Sequence, residues 1–260
     1  MLNRDEIINY LKEFSQDKDY VYAMWLEGSD GLNMVDEYSD IDFWFDVAKD
    51  HQESFLYECI SALEKIGKID SRVDDIRKNI AESDIHLANT NEFLILDICI
   101  QSHEIRGKEA TCYIKNDIAE LPYVIFDKKN IITYKDKYEE NLDTIKKEFN
   151  INKSKIYEFS RVKKYIYRNM YLEAYMKYIE TMCEPLIKIV RLIYTPRHYN
   201  YSLCHISRHF PKNVVNELEP LYKVSSLTDI NNNISIIIDL LNKYEKQLKE
   251  KYNIGGDNFE

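Results

Sequence analysis

Hydrophobic and polar positions follow two regimes along this chain. Up to about residue 133, short apolar runs recur between polar clusters. After that, apolar residues return every three or four positions over long stretches. The first regime belongs to strands in a sheet, the second to amphipathic helices. Ile7, Ile8, Leu11 and Phe14 place a helix over 4–16. The runs 21–26 and 41–47 read as strands, with a short helix over 30–37 between them. A helix over 51–66 turns Phe55, Cys59, Ala62, Leu63 and Ile66 inward, and Gly67 stops it. Residues 68–79 are polar and unpatterned and read as a solvated loop, so Asp70, Asp74 and Asp75 receive no role. The runs 85–88 and 93–101 read as strands joined by a hairpin-type loop at 89–92. Residues 104–121 read as loop, and 123–126 with 131–133 as a second hairpin around 127–130.

The second half predicts a helix over 134–149 and a long helical region over 155–194, interrupted at Pro185. A loop follows at Pro196 and 199–201, then a short helix over 202–209 and another opened by Pro211. Ser226 or Thr228 caps a last helix running to about Tyr252, with Ile234, Ile237, Ile238, Leu241, Tyr244 and Leu248 as its apolar stripe. Residues 255–260 read as a frayed tail. The fold class is therefore α+β: a mixed-sheet domain over 1–130, then an α-helical bundle over 131–260.

Composition narrows the function. The chain has 260 residues, 45% apolar and 31% charged, the profile of a globular protein with a real core. No apolar run reaches the length of a membrane span, and the N-terminus lacks the build of a signal peptide, so a cytoplasmic location is expected. Five scattered cysteines with no Cys-x-x-Cys argue against a disulfide framework and a structural zinc site. A net charge of −10 disfavours nucleic acid and favours a cationic small-molecule acceptor. Monomer and homodimer both remain open.

The chemistry concentrates between Trp25 and Val47. On a strand, Asp40 and Asp42 share one face, about 7 Å apart along the chain. Paired carboxylates suit a hard cation such as Mg²⁺, which takes oxygen ligands from one or two carboxylates plus substrate phosphates. Upstream, Gly28 permits close backbone approach to a phosphate, and Ser29 offers a hydroxyl. Downstream, Asp97 sits in a strand between apolar neighbours, where a carboxylate is costly without a cation or donors. These residues point to phosphoryl or nucleotidyl transfer.

Gly28-Ser29, ten intervening residues, then Asp40-Ile41-Asp42 resembles the signature of the polymerase-beta-like nucleotidyltransferases, with Asp97 in the place of that family's third carboxylate. The whole chain looks most like the bacterial antibiotic nucleotidyltransferases that modify aminoglycosides or lincosamides. The resemblance implies a nucleotidyltransferase domain before a helical substrate-binding domain, with the active site between them. It implies an NTP, ATP foremost, as co-substrate, with Gly28 and Ser29 on its phosphates. Mg²⁺ would lie on Asp40, Asp42 and Asp97, with Asp97 also a candidate base. Antibiotic resistance would be the biological role. Asp30-Gly31 departs from the basic or small residue that many relatives carry shortly after Gly-Ser, which leaves the phosphate contacts open. In the helical half, Glu173 is a second candidate base. Arg161, Lys164 and Arg168, and His205, Arg208 and His209, are candidate phosphate contacts or solvated faces. Tyr165 and Tyr175 are stacking candidates or core. Two other readings stay open: transfer to a protein or RNA acceptor, as in toxin–antitoxin pairs, and a non-catalytic nucleotide-binding module.

Overall fold

Asn3 starts the first helix. Its side chain accepts from the Glu6 amide, and the Glu6 carboxylate accepts from the Asn3 amide, a reciprocal cap. In this computed structural model, which describes residues 1–106 and 111–254, the chain divides into two units, Met1–Lys137 and Tyr138–Glu260.

The first unit runs α1 (Arg4–Gln16), β1 (Val21–Leu26), α2 (Gly28–Gly31), β2 (Ile41–Val47), α3 (Gln52–Leu63), β3 (Ile69–Arg77), β4 (Ile80–Leu87), β5 (Ile95–Ser102), α4 (His103–Arg106), β6 (Cys112–Ile114), β7 (Tyr123–Asp127) and β8 (Thr133–Lys135). Six strands form one sheet in the order β3-β4-β5-β2-β1-β7. Only β2 and β5 pair in parallel; the other neighbours are antiparallel. Alternation along β2 and β5 sends Phe43, Phe45, Ile98 and Ile100 to one face, where they pack with Ile7 and Leu11 of α1 and Phe55 and Leu56 of α3. The opposite face carries the polar positions, together with a small cluster of Ala23, Trp25 and Tyr113 against Trp44.

Several expectations need correction. Residues 69–77 are not loop but the edge strand β3, paired along its length with β4. Nearly every side chain on it is exposed, so no apolar alternation marks it; the backbone ladder and cross-strand polar pairs, Asp70 with His86, Asp74 with Ser83 and Arg77 with Glu82, make it a strand. Strand β4 accordingly begins at Ile80 rather than at 85. The helix after Gly28-Ser29 ends at Gly31, followed by Asn33 in the left-handed region at φ 54°. The second hairpin does not form: β7 pairs with β1, whereas β8 pairs in parallel with β6, inside the stretch read as loop. Asp127 redirects the chain there, accepting from the amides of Lys129, Ile131 and Ile132. The helix expected over 134–149 begins at Leu142 instead, because 133–135 is committed to the small sheet.

The second unit is helical: α5 (Leu142–Tyr157), α6 (Ser160–Tyr167), α7 (Tyr171–Tyr178), α8 (Glu184–Tyr194), α9 (Ile206–His209), α10 (Lys212–Tyr222) and α11 (Leu227–Tyr252). The long helical region breaks at 158–159 and 168–170 as well as near Pro185. At Pro185 the break is a π turn, Ile179–Cys183, in which the Glu184 amide reaches back to the Ile179 carbonyl. Ser226 caps α11 through the Asp229 amide. Ile230, Ile234, Ile237, Leu241, Tyr244 and Leu248 of that helix are buried against Phe149, Tyr178 and Val190. A 3₁₀ turn, Pro196–Tyr201, fills the expected loop. The tail expected over 255–260 lies outside the described residues.

Candidate active site

The site face of the first unit is built by register. Asp42 of β2 stands opposite Asp97 of β5, and Asp97 in turn opposite Asp84 of β4. Neighbouring strands lie about 4.8 Å apart, so three carboxylates stand in a row across three strands. Asp40 lies just before β2, and its charge acts on both Asp42 and Asp97.

Gly28 faces Asp42 at close range. Its φ is 56°, and a Cβ added there would fall 1.9 Å from Asp42 Oδ2. Both conditions exclude a side chain. The next residue, Ser29, has its Oγ buried with no hydrogen-bond partner among the described residues. A buried hydroxyl left unmatched is costly, and a bound polar group would satisfy it. Gly31 is needed for another close approach: a Cβ there would fall 1.6 Å from the Leu121 carbonyl oxygen.

Electrostatics single out the central pair. Burial foremost, then the charges of Asp40, Asp97, Glu27 and Asp30, push the Asp42 carboxyl up to about 7. Burial, then Asp84, Glu82, Asp40 and Glu27, push Asp97 up to about 6. No hydrogen-bond donor or cation of the described residues reaches either side chain. By contrast Asp46, on the same face of β2, accepts from Gln101 Nε2 at 2.6 Å and pairs with His103 Nδ1 at 2.8 Å. Crowded, undersupplied carboxylates are the electrostatic complement of a divalent cation. Among the described residues no three carboxylate, imidazole or thiol groups close into a ready-made metal cage. A cation held by Asp40, Asp42 and Asp97 would complete its shell from phosphate and water, as Mg²⁺ does. The residues fit such an ion: the cradle at Gly28 and the orphaned Ser29 hydroxyl leave a place for phosphate oxygens beside the carboxylates.

The structure thus brings Gly28, Ser29, Asp40, Asp42 and Asp97 together. Glu173 lies in the second unit, in the first turn of α7. Arg161 there pairs with Glu158, an ordinary helix-surface ion pair. His209 is buried beside Arg191, while Tyr165 packs partly into the helical core and Tyr175 stacks on Tyr171.

Four features escaped the sequence reading. Glu27 adds charge to both central carboxylates, and it accepts from Trp25 Nε1 at 3.0 Å and from the Tyr113 hydroxyl. Trp44 lies on the Asp42 face and stacks on Trp25 at 5.8 Å; strict alternation from Asp42 would have found it. Asp84 could be placed only with the strand register. Arg4 bonds the carbonyls of Ser39 and Asp40 and the carboxylate of Asp30, a contact across the sequence that no local pattern announces. Beside Asp97, Asp74, Asp75, Glu82, Ser83 and Asp84 line an acidic groove of about 290 Å³.

No family model and no curated protein matches the chain. Among solved structures, an aminoglycoside 6-adenyltransferase from Bacillus subtilis is 18% identical, with a TM-score of 0.42, covering 100% of this chain and 95% of its own. A spectinomycin adenyltransferase, AAD(9), from Enterococcus faecialis, solved with ATP and spectinomycin, is 11% identical, with a TM-score of 0.35, covering 95% and 100%. The GLD-2/RNP-8 complex is 10% identical, with a TM-score of 0.30, covering 91% and 73%. Scores this low carry nothing about activity, and the functional reading rests on the residues. Among the described residues no helix is long and apolar enough to cross a membrane.

Proposed function

We propose that this chain is a nucleotidyltransferase that moves a nucleoside monophosphate from an NTP, ATP foremost, to a hydroxyl of a cationic small molecule, releasing pyrophosphate. One observation carries the reading. A glycine in the left-handed region packs against a half-buried carboxylate, and the adjoining serine hydroxyl is buried without a partner among the described residues. That arrangement costs stability in the free protein, and a phosphate and a cation shared there would offset the cost.

Asp40 and Asp42 would hold Mg²⁺, with Asp97 joining them. The ion would neutralise charge on the attacking and leaving oxygens. Ser29 Oγ donates to a phosphate oxygen, and the bare Gly28 backbone lets that phosphate approach. Asp97, opposite Asp42 in the strand register, is the first candidate to take the acceptor's proton. The hydroxyl oxygen then bonds to the α-phosphorus as the bond to the pyrophosphate oxygen breaks. Glu173 remains the second candidate for that proton. The net charge of −10 supports a cationic acceptor, as does Asp84 beside Asp97; Asp74, Asp75 and Glu82 of the same groove are paired with Arg72 and Arg77. Aminoglycosides and lincosamides are the first acceptors to try.

The test is mass spectrometry of aminoglycosides and lincosamides after incubation with the protein, Mg²⁺ and each NTP in turn. One acceptor should gain one nucleoside monophosphate, and Asp40→Asn should abolish the adduct with the fold intact. No adduct on any acceptor, despite bound NTP, would remove the antibiotic assignment. Turnover unchanged in Asp40→Asn would remove the metal site.

A further inference from the structure

The sheet ladder of β2 begins at Ile41, so it does not hold Asp40. The segment leading to Asp40 is no anchor either, because residues 33–38 are all exposed. Arg4 supplies the missing tie. Its Nη1 donates to the carbonyl of Asp40 at 2.5 Å and to that of Ser39 at 3.2 Å, while Nη2 pairs with the Asp30 carboxylate. The two side chains of this pair are only 16% and 11% exposed. The acceptors come from two segments: the turn carrying Ser29, and the lead-in to β2 carrying Asp40. A guanidinium is a rigid planar fork, and a lysine cannot span these three acceptors at once. Arg4 reaches both segments as the first residue of α1.

We propose that Arg4 is a positioning residue of the transfer site, setting the spacing between the Ser29 turn and the Asp40 carboxylate through Asp30 and the Ser39 and Asp40 carbonyls. The proposal rests on the nucleotidyltransferase reading. It also gives Asp30 a purpose: the acidic residue stands where it does because a cation from α1 reaches it. Without Arg4, the repulsion of Asp42 by the half-buried Asp30 carboxylate would go uncompensated, and Asp40 would lose the hydrogen bond on its carbonyl.

The chain has two tryptophans, Trp25 and Trp44, and both lie on the site face. Their fluorescence therefore reads the site directly. The probe is Mn²⁺, a paramagnetic quencher, with an ATP analogue carrying a methylene between the α and β phosphorus atoms. In the full chain, Arg4→Gln should weaken quenching affinity about tenfold or more, the usual cost of losing a residue that orients metal ligands. Arg4→Lys should fall between that variant and the wild type. Glu6→Ala, which removes the carboxylate half of the helix cap, should lose stability and keep affinity. Should Arg4→Gln fail to fold, Asp30→Asn takes its place, with the same weakening expected. Wild-type affinity in Arg4→Gln, or in Asp30→Asn where that variant is needed, overturns the proposal. So does a loss that Glu6→Ala reproduces. Absence of any binding to the wild type overturns the transfer reading itself, and the role of Arg4 with it.

Discussion

Asp42 and Asp46 share a strand and a face, yet the chain treats them in opposite ways. Asp46 receives Gln101 and His103, as a buried carboxylate ordinarily requires. Among the described residues, Asp42 meets other carboxylates and a glycine. The difference has a consequence for pH. The folded chain holds the protons of Asp42 and Asp97 more tightly than the unfolded chain, with values near 7 and 6 against 3.8. The native state therefore binds more protons between about pH 4 and pH 7. Stability of the metal-free protein should be greatest on the acid side of that window and fall as pH rises through the folded values. Asp42→Asn should flatten the fall and be more stable than wild type at pH 8, by about 1 kcal/mol or more. Urea unfolding in chelator across pH 4–8 measures it, and a wild type that gains stability over that range would contradict the electrostatics. Asp40, Asp42 and Asp97 were legible because their chemistry shows in one dimension: spacing on a strand, or a carboxylate among apolar neighbours. Arg4, Glu27 and Asp84 were not, because each acquires its meaning from a partner that only the fold brings near.

Elements were legible to the extent that burial wrote a period into them. Strands 21–26 and 41–47 and helix 4–16 fall where alternation and helical spacing put them. Strand β3 has no buried face and therefore no period; its existence depends on the free edge of β4. Arg72, Asp74, Asp75 and Arg77 along it are the charges that keep an edge from pairing with another chain. At the other extreme, α11 shows its stripe and its cap openly. Ser226 supplies the side-chain oxygen for the Asp229 amide, so Ser226→Ala should destabilise the helical unit by about 1 kcal/mol. Helical circular dichroism in urea would show it, and an unchanged midpoint would mean that packing of the stripe alone fixes the helix start. Pro185 was read as a break, and it is one. The chain absorbs it by widening the preceding turn instead of ending the helix, which a proline in the sequence does not by itself distinguish.

At the scale of the molecule the described residues form two large cores, one of sheet with α1 and α3, the other of helices. Residues 133–142 between them are exposed throughout and include Lys135 and Lys137. Brief trypsin treatment should cut there first and leave two fragments, each with its own secondary structure by circular dichroism. Early cuts inside either core would contradict the division. Within the first unit, the strand order has one further effect. The residues that would hold the ion stand on or beside β2 and β5, at the middle of six strands, whereas Asp74 and Asp75 stand on the outermost strand. In hydrogen exchange the amides of the middle strands should trade only when the whole unit opens, while those of the rim trade through local fraying. On the proposed reading, chemistry and recognition would occupy parts of one sheet with different opening free energies. Substitutions at the rim would then change the molecules accepted, while the middle that would perform the transfer stays as it is.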